Sequence, residues 1–189
     1  MKIVLATHNA HKVEELRTIL GPRLDGIELL GYDGPEPVED GDTFESNALI
    51  KARAAFEHTG LPAIADDSGI SVDALGGAPG IHSARYAGTR DDGDNLRLLL
   101  ERMTGVDDRT AHFTCAAAFV DADRELVELG IWPGHVLHAP SGAHGFGYDP
   151  VFQPEGTETS SAELTPQAKN AISHRAMAFA RLFDVIRTL

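Results

Sequence analysis

Apolar residues recur along the chain at two spacings, and their alternation predicts strands and helices in turn. Residues 2–6 and 27–30 are short apolar runs rich in branched side chains, which is typical of buried strands. Between them, apolar residues at positions 13–20 recur at helical spacing, and Gly21 and Pro22 end that helix. A strand, a polar segment and a helix in this order indicate an α/β fold.

An alanine-rich apolar stripe predicts a second helix over residues 43–58. Asp42 and Glu45 resemble a capping box at its start, with Asp in the place of Ser or Thr. Asn47 and Lys51 lie one helical turn apart on a neighbouring face, where both can be plain surface residues.

The central strand is predicted at residues 61–65, directly before the motif Asp66-Asp67-Ser68-Gly69. We interpret this motif as a turn at the carboxyl end of the strand, where α/β proteins usually bind their ligands. Two adjacent carboxylates at such a point are a candidate site for a divalent metal, because hard cations prefer oxygen ligands. A polar turn that merely ends the strand is an equally good interpretation, since Asp, Ser and Gly are ordinary turn residues.

The second half of the chain adds two helices and a hairpin. Residues 94–103 have the apolar spacing of a helix, and the last helix opens at Ser173-His174-Arg175. Residues 111–120 and 125–132 predict two strands that a short polar turn joins as an antiparallel hairpin. This hairpin distinguishes the chain from a purely parallel sheet.

Composition narrows the classes of function. The 189 residues are enough for a substantial core, and we expect residues 1–189 to form a single domain. The net charge of −13 argues against a nucleic-acid polymer or an anionic membrane as partner. Cys115 is the only cysteine, so no disulfide can form within the chain. No run approaches the roughly 20 apolar residues of a membrane span, and we expect a cytoplasmic location.

Two polar loops are candidates for ligand binding. Residues 7–12 (THNAHK) precede a helix, so helix N–H groups and the charge of Lys12 suit an anion. A simple N-cap with a solvated lysine is the plainer alternative. Residues 142–150 (GAHGFGYDP) place Phe146 and Tyr148 among glycines, and the ring of Phe146 can pack either on a planar base or on the protein's own core.

Five separated motifs together cover nearly the whole chain: THNAHK, EDGDTFESNALIKA, ADDSGISVDALGGAPGIHSARYAG, GFGYDPVF and AELTPQAKNAISHR. In order and wording they resemble the inosine/xanthosine triphosphate pyrophosphatase family, whose members remove deaminated purine nucleotides. The resemblance implies an α/β fold with an elongated mixed β-sheet flanked by helices, and two lobes with a central active-site cleft. It also implies a homodimer, a purine nucleoside triphosphate substrate (ITP, dITP or XTP) and Mg²⁺ as cofactor.

The family's functional residues fall on matching positions of this chain. Asp67 matches the catalytic, metal-associated aspartate, and Glu39 matches the other metal-associated carboxylate. The resemblance implies that the remaining matched positions bind substrate: Thr7, His8, Asn9, Ala10, His11, Lys12, Ser68, Phe146, Gly147, Tyr148, Asp149, Lys169, His174 and Arg175. Of these, the loop at residues 7–12 is expected to hold the triphosphate, and residues 146–149 the base.

The implied reaction is the hydrolysis of a nucleoside triphosphate to its monophosphate and pyrophosphate, with water attacking the α-phosphorus. Glu39 and Asp67 are expected to bind Mg²⁺, and Asp67 can also take a proton from the attacking water. Asp66 is the second candidate for either role. Lys12 and Lys169 are expected to offset the charge that builds up on the phosphoryl oxygens.

Selectivity has a chemical basis in this family, because hypoxanthine and xanthine carry a carbonyl at C6 where adenine carries an amino group. A site lined by hydrogen-bond donors rewards the carbonyl and leaves donors unpaired with adenine. Arg175, His174 and backbone N–H groups near Phe146 are the candidate donors.

Two other functions stay open at this point. A Maf-like pyrophosphatase for modified pyrimidine nucleotides shares the chemistry, and the match of five motifs argues against it. A non-catalytic nucleotide sensor or RNA-binding module is the alternative from another class. The net charge and the presence of Glu39, Asp67 and Lys12 argue against that function.

Overall fold

The structure, a computed structural model, describes residues 1–8 and 10–189, without the side chains of Ala10 and His11. Within these residues, six strands form one sheet: β1 (Lys2–Leu5), β2 (Glu28–Leu30), β3 (Ala63–Val72), β4 (Thr110–Val120), β5 (Glu125–Val136) and β6 (Phe152–Pro154). The strand order is β2-β1-β3-β4-β5-β6. Pairing is parallel from β1 to β2 and β3, and antiparallel between β5 and β6, so the sheet is mixed as expected.

Five α-helices accompany the sheet in the same described ranges: α1 (Ala10–Leu20), α2 (Phe44–Thr59), α3 (Asp92–Arg102), α4 (Pro166–Ile172) and α5 (His174–Ile186). Short 3-10 segments connect several of them, among them Gly80–Arg85 and Asp149–Val151. No helix in the described part of the chain is long and apolar enough to cross a membrane.

Strand β3 shows how the helices cover the sheet. Its Ile64 belongs to a buried cluster with Leu16 of α1 and Phe183 of α5. The next residue, Ala65, belongs to a different cluster with Ala48 of α2. Because successive side chains of a strand point to opposite faces, α1 and α5 cover one face of the sheet here and α2 covers the other.

The chain divides into two compact units. The first comprises Met1–Asp67, Cys115–Gly130 and His174–Leu189, and the second comprises Ser68–Thr114 and Ile131–Ser173. Strands β3, β4 and β5 contribute residues to both. A single domain of residues 1–189 with two lobes and a central cleft stays a prediction.

Most predicted elements are confirmed, with shifts of a few residues at their ends. The capping box predicted at Asp42 and Glu45 is wrong by one residue. Thr43 is the N-cap of α2, and its hydroxyl accepts the Ser46 N–H at 3.1 Å while the Ser46 hydroxyl accepts the Thr43 N–H at 3.1 Å. Thr43 has the extended backbone of an N-cap, with φ −135° and ψ 161°, and its hydroxyl has the reach to close the box.

The first turn of α5 lies directly against the backbone of β5. A Cβ atom added to Gly130 would lie 2.0 Å from the carbonyl oxygen of His174 and 2.7 Å from the backbone nitrogen of Ala178. Both neighbours are main-chain atoms, so neither can move without shifting the helix. The absence of a side chain at Gly130 therefore allows α5 to pack at this distance.

We predict that Gly130→Ala lowers the free energy of unfolding by about 2 kcal/mol or more, because the methyl group overpacks a contact between two backbones. Gly31→Ala is the matched control, since a Cβ at Gly31 meets no atom within 4 Å. Its expected change is within about 0.5 kcal/mol. Urea denaturation of both variants measures the difference, and equal stability of the two variants would contradict the close approach of α5.

Candidate active site

The two adjacent aspartates lie inside strand β3, which runs through the whole Asp66-Asp67-Ser68-Gly69 motif to Val72. The predicted turn at this motif is therefore wrong. Strand pairing and burial on both sides overrode the turn preference of these residue types. In a strand, neighbouring side chains point to opposite faces, so Asp66 follows Ile64 towards α1 and α5 while Asp67 follows Ala65 towards α2.

Asp66 is buried and is neutralised from α5 and α1. Its Oδ2 accepts hydrogen bonds from the Arg175 guanidinium at 3.0 and 3.3 Å, and its Oδ1 lies 3.9 Å from the ammonium of Lys12. Glu15 of α1 lies 3.5 Å from the same guanidinium. The side chains of Asp66 and Arg175 are only 7% and 6% exposed, so this ion pair is almost fully removed from water.

These contacts decide the protonation of Asp66. Burial alone would raise the pKa of the Asp66 carboxyl, but the charges of Lys12 and Arg175 outweigh it and hold that pKa well below its ordinary range. In turn, burial would lower the pKa of Arg175, whereas the charge of Asp66 raises it. Asp66 is thus a permanently ionised partner of two cations, which disfavours the general-base role held open for it.

Asp67 has a different environment on the α2 face. The Lys51 ammonium lies 3.3 Å from Asp67 Oδ1 and donates a hydrogen bond to Glu39 Oε2 at 2.9 Å. Desolvation raises the pKa of the Asp67 carboxyl, an effect that Lys51 and Asn47 oppose and Glu39 reinforces. The carboxylate is therefore more basic than an exposed aspartate while an ammonium still favours its ionised form.

Sequence reasoning missed the parts played by Asn47 and Lys51 of α2. Asn47 is buried, and its side-chain oxygen accepts the Gly41 N–H at 2.9 Å, which fixes the end of the loop that carries Glu39. The Asn47 and Lys51 side chains are one helical turn apart and point in the same direction. That spacing was the available signal, although it does not distinguish a surface pair from a pair that faces two carboxylates.

Glu39 and Asp67 fit a divalent cation. Asp67 Oδ2 is buried and accepts no hydrogen bond from the described residues, so a hard oxygen donor is left without a partner. The carboxylates of Glu39 and Asp67 already share one cation, because both pair with the Lys51 ammonium. No group of three or more metal-ligating side chains occurs in the described ranges. Mg²⁺ suits a site with two carboxylates, because it commonly binds one or two carboxylates and takes its remaining ligands from phosphates and water.

The predicted triphosphate loop connects β1 to α1 in the same unit. Both ring nitrogens of His8 face acceptors, the Gly34 carbonyl at 2.8 Å and Glu36 Oε1 at 3.0 Å, which raises the His8 pKa, chiefly through Glu36. The ring also stacks on Tyr32 at 5.5 Å. His8 thereby ties this loop to the acidic loop that leads to Glu39. Asn9 lies outside the described residues, and so do the side chains of Ala10 and His11.

An open cavity of about 530 Å³ adjoins this loop at the carboxyl ends of β1 and β2. It is lined by Thr7, His8, Val13, Glu14, Arg17, Gly31, Tyr32 and Asp33. The ends of parallel strands are the usual place for ligands in α/β proteins, so the cavity agrees with a ligand-binding role for this edge.

The second unit contains the predicted base-binding segment. Phe146 is 51% exposed, and the Lys169 ammonium lies 5.0 Å from the centre of its ring. Buried Asp149 accepts hydrogen bonds from Lys169 at 2.5 Å, from the Ser161 hydroxyl at 2.8 Å and from the Phe146 N–H at 2.9 Å. The Phe146 ring is not packed in the protein's own core, which was one of the two expectations, because half of its surface stays accessible.

The structure thus brings the predicted site residues together in two groups. In the first unit, Lys12 and Arg175 surround Asp66, and Glu39 joins Asp67 through Lys51. His174, buried, opens α5 beside Arg175. In the second unit, Lys169 contacts the Phe146 ring and Asp149, and its predicted role against the charge on the phosphoryl oxygens stays a prediction. Ser68 is the first residue of the second unit and directly follows Asp67 of the first.

We predict that Asp66→Asn destabilises the protein by about 3 kcal/mol, because it leaves the buried Arg175 guanidinium without its main counter-charge. The folded pKa of Asp66 is lowered, so its stabilising effect is present above the unfolded pKa of about 3.9 and is lost as the pH falls towards the folded value. The stability difference should therefore stay constant from about pH 8 to about pH 5 and shrink below about pH 4.

Urea denaturation across this pH range measures the Asp66→Asn effect. Asp184→Asn is the control, since Asp184 pairs with Arg23 at 2.9 Å in an exposed ion pair whose loss changes stability by under about 1 kcal/mol. If the two variants lost equal stability, the buried pair would have no special importance.

The chain is similar to known proteins over nearly its whole length. The chain matches the sequence model of the Ham1 family over residues 3–185. It is 55% identical to the dITP/XTP pyrophosphatase of Leifsonia xyli, over 100% of this chain and 97% of that protein. It is 52% identical to the dITP/XTP pyrophosphatase of Streptomyces coelicolor, over 100% and 98%. The solved structure of a HAM1 protein from Coxiella burnetii gives a TM-score of 0.91 at 40% identity, over 100% of both chains. The chain belongs to the Ham1 family.

Proposed function

We propose that this protein hydrolyses deaminated purine nucleoside triphosphates (ITP, dITP and XTP) to the monophosphate and pyrophosphate. The observation that carries the proposal is the group Glu39–Lys51–Asp67, in which a buried carboxylate oxygen has no donor among the described residues. This group occurs in a chain 55% identical to a dITP/XTP pyrophosphatase over its full length. The names of the relatives supply the substrate class, and the carboxylates supply the chemistry.

In this proposal Asp67 is the general base for the attacking water. Its pKa is raised by burial, so the carboxylate binds a proton more readily than an exposed aspartate does. Lys51 lies 3.3 Å away, and its charge favours the ionised form, which is the form that a base needs. Asp66 cannot share this task, because Arg175 and Lys12 hold it ionised and occupied.

In this proposal Lys12 supplies positive charge for the triphosphate, and Lys169 stays the predicted second source. Lys12 is one-third exposed and only loosely paired with Asp66 at 3.9 Å, so its ammonium is available to an anion. It also lies in the first turn of α1, where helix N–H groups favour negative charge. Bound to Glu39 and Asp67, Mg²⁺ would neutralise phosphate charge and polarise the phosphoryl group.

We assign the purine base to the exposed face of Phe146, since base stacking needs an accessible ring. Three of the predicted donors to the C6 carbonyl already have acceptors. Arg175 bonds Asp66, and the N–H groups of Phe146 and Gly147 donate to side-chain carboxylates. We therefore give these three groups a positioning role, and His174 stays a predicted donor. The homodimer and the cytoplasmic location stay predictions.

The proposal predicts strong pyrophosphate release from ITP, dITP and XTP with Mg²⁺, and much weaker release from GTP, ATP and dUTP at equal concentration. A donor-lined site discriminates by roughly a hundredfold or more against ATP, whose C6 amino group leaves the donors unpaired. GTP has the same C6 carbonyl as ITP and XTP, so its weaker release is expected from the names of the relatives and not from this argument. A coupled pyrophosphate assay on the purified protein measures all six. Chelation with EDTA should abolish release from the preferred substrates.

Other outcomes of this assay identify the alternatives. Preference for modified pyrimidine nucleotides in an extended panel would favour a Maf-like pyrophosphatase. Metal-independent binding of ITP without any release would favour a non-catalytic sensor. Equal rates on all six nucleotides would retain the hydrolysis and contradict the donor-based selectivity.

Asp67→Asn should lower kcat for ITP by at least about a hundredfold, since it removes the general base, while the dissociation constant for ITP changes by less than about threefold. Asp25→Asn, on the exposed surface of the same unit, is the control with the same change of charge. Pyrophosphate release and equilibrium nucleotide binding measure the two quantities. Activity within about tenfold of wild type would remove Asp67 from this role.

A further inference from the structure

In the glycine-rich loop of residues 142–150, three successive residues each form a hydrogen bond with a different partner. The Phe146 N–H donates to Asp149 Oδ2 at 2.9 Å, and the Gly147 N–H donates to Asp92 Oδ2 at 2.9 Å. The Tyr148 hydroxyl donates to the Ser83 carbonyl at 2.7 Å. The backbone of this glycine-rich loop is therefore fixed although the Phe146 ring itself is half exposed.

One of these hydrogen bonds stays within the loop, and another is made by a buried side chain. The third joins the loop to a distant and exposed side chain. Asp149 is in the same loop, and Tyr148 is buried. Asp92 lies 55 residues earlier in the sequence, in the first turn of α3, and its carboxylate is exposed. The neighbouring Asp91 already caps the helix by accepting the Asp94 N–H at 2.9 Å. The Asp92 side chain is thus not needed to cap α3.

The helix that carries Asp92 is itself held in place. The buried Asn95 side chain accepts the Ala87 N–H at 2.8 Å and donates to the Ala84 carbonyl at 3.1 Å. Ala84 belongs to the same 3-10 segment, Gly80–Arg85, that receives the Tyr148 hydroxyl through Ser83. Asp92 and Tyr148 therefore connect the loop to one common scaffold, so the anchor at Gly147 has a fixed position.

We propose that Asp92 is a positioning residue for nucleotide recognition: by holding the Gly147 peptide it sets the orientation of the Phe146 ring on which the base stacks. The inference rests on the proposed function, because it assigns a role in binding the same substrate. The inference gives Asp92 no part in binding the phosphates or in activating the water. Loss of its hydrogen bond therefore weakens base binding and leaves the chemical step, which depends on Asp67, unchanged.

The test compares Asp92→Ala, Asp92→Asn and Asp94→Ala. Asp92→Ala removes the acceptor, whereas the amide oxygen of Asp92→Asn can still accept the Gly147 N–H. Asp94→Ala removes the same charge from the same helical turn, and Asp94 bonds only Thr89 and Arg97 through its side chain among the described contacts. The measurements are kcat and KM for ITP, and hydrogen exchange at the Gly147 amide without nucleotide.

Asp92→Ala should raise KM by about tenfold with kcat within about twofold of wild type, the loss expected for one charge-assisted hydrogen bond. Its Gly147 amide should exchange faster by a similar factor. Asp92→Asn should recover most of both effects, and Asp94→Ala should match wild type. This pattern separates positioning from a general loss of structure, which would not be rescued by Asn.

Three results would overturn the inference. An unchanged KM in Asp92→Ala would show that the hydrogen bond between Asp92 and Gly147 does not affect binding. An equal fall of kcat in Asp92→Ala and Asp94→Ala would show a general effect of helix charge. Unchanged exchange at Gly147 would show that Asp92 does not hold the peptide. The exchange measurement needs no turnover, so a wild type that releases no pyrophosphate refutes the proposed function while the hydrogen bond between Asp92 and Gly147 is still tested.

Discussion

The structure of the first unit depends on two adjacent carboxylates in the middle of one strand, of which Asp66 is buried and Asp67 is half-buried. A buried charge without a partner costs several kcal/mol, which is a large share of the stability of a small protein. The chain meets this demand with cations from three helices, Lys12 on α1, Lys51 on α2 and Arg175 on α5. Packing these helices on β3 is thus an electrostatic requirement as well as an apolar one.

The alternation of a strand gives the two carboxylates different chemistry. Asp66 accepts two hydrogen bonds from the Arg175 guanidinium on one carboxylate oxygen and is held ionised, so it acts as a fixed charge that orders Arg175 and Lys12. Asp67, one residue later, is desolvated and has a second carboxylate beside it, and the single ammonium at 3.3 Å does not offset these two effects, so its pKa is raised. Two neighbouring titratable groups with pKa values pushed apart is the pattern expected where one group is structural and the other is reactive.

The sequence predicts the elements whose signals are local. Helix α1 ends where Gly21-Pro22 indicates, and α5 begins at His174, within the predicted Ser173-His174-Arg175 opening. The hairpin of β4 and β5 also follows from its apolar runs and polar turn. These elements depend on residues within a few positions of one another, which periodicity and capping rules describe well.

The rest depends on contacts that local patterns do not contain. Asp66 and Asp67 have turn propensities, and they lie in a strand only because Arg175, 109 residues away, and Lys51 make their burial tolerable. The functional direction of Asn47 and Lys51 depends on the same pairing. Residue matching to a family named Glu39 and Asp67 as candidate metal ligands, but the different surroundings of Asp66 and Asp67 became visible only with the strand register.

In the second unit, carboxylates fix the backbone of the glycine-rich loop of residues 142–150. A glycine-rich loop loses much backbone entropy when it orders around a ligand, and that loss weakens binding. Here the loop is ordered beforehand by carboxylates, from Asp149 within the segment and from Asp92 on α3. At Gly145 a side chain would collide with Asp149 Oδ2 at 2.0 Å, so glycine is needed for the carboxylate to reach the loop backbone. Glycine here permits a rigid loop rather than a flexible one, which explains how an exposed phenylalanine can be presented at a defined angle without a core to pack against.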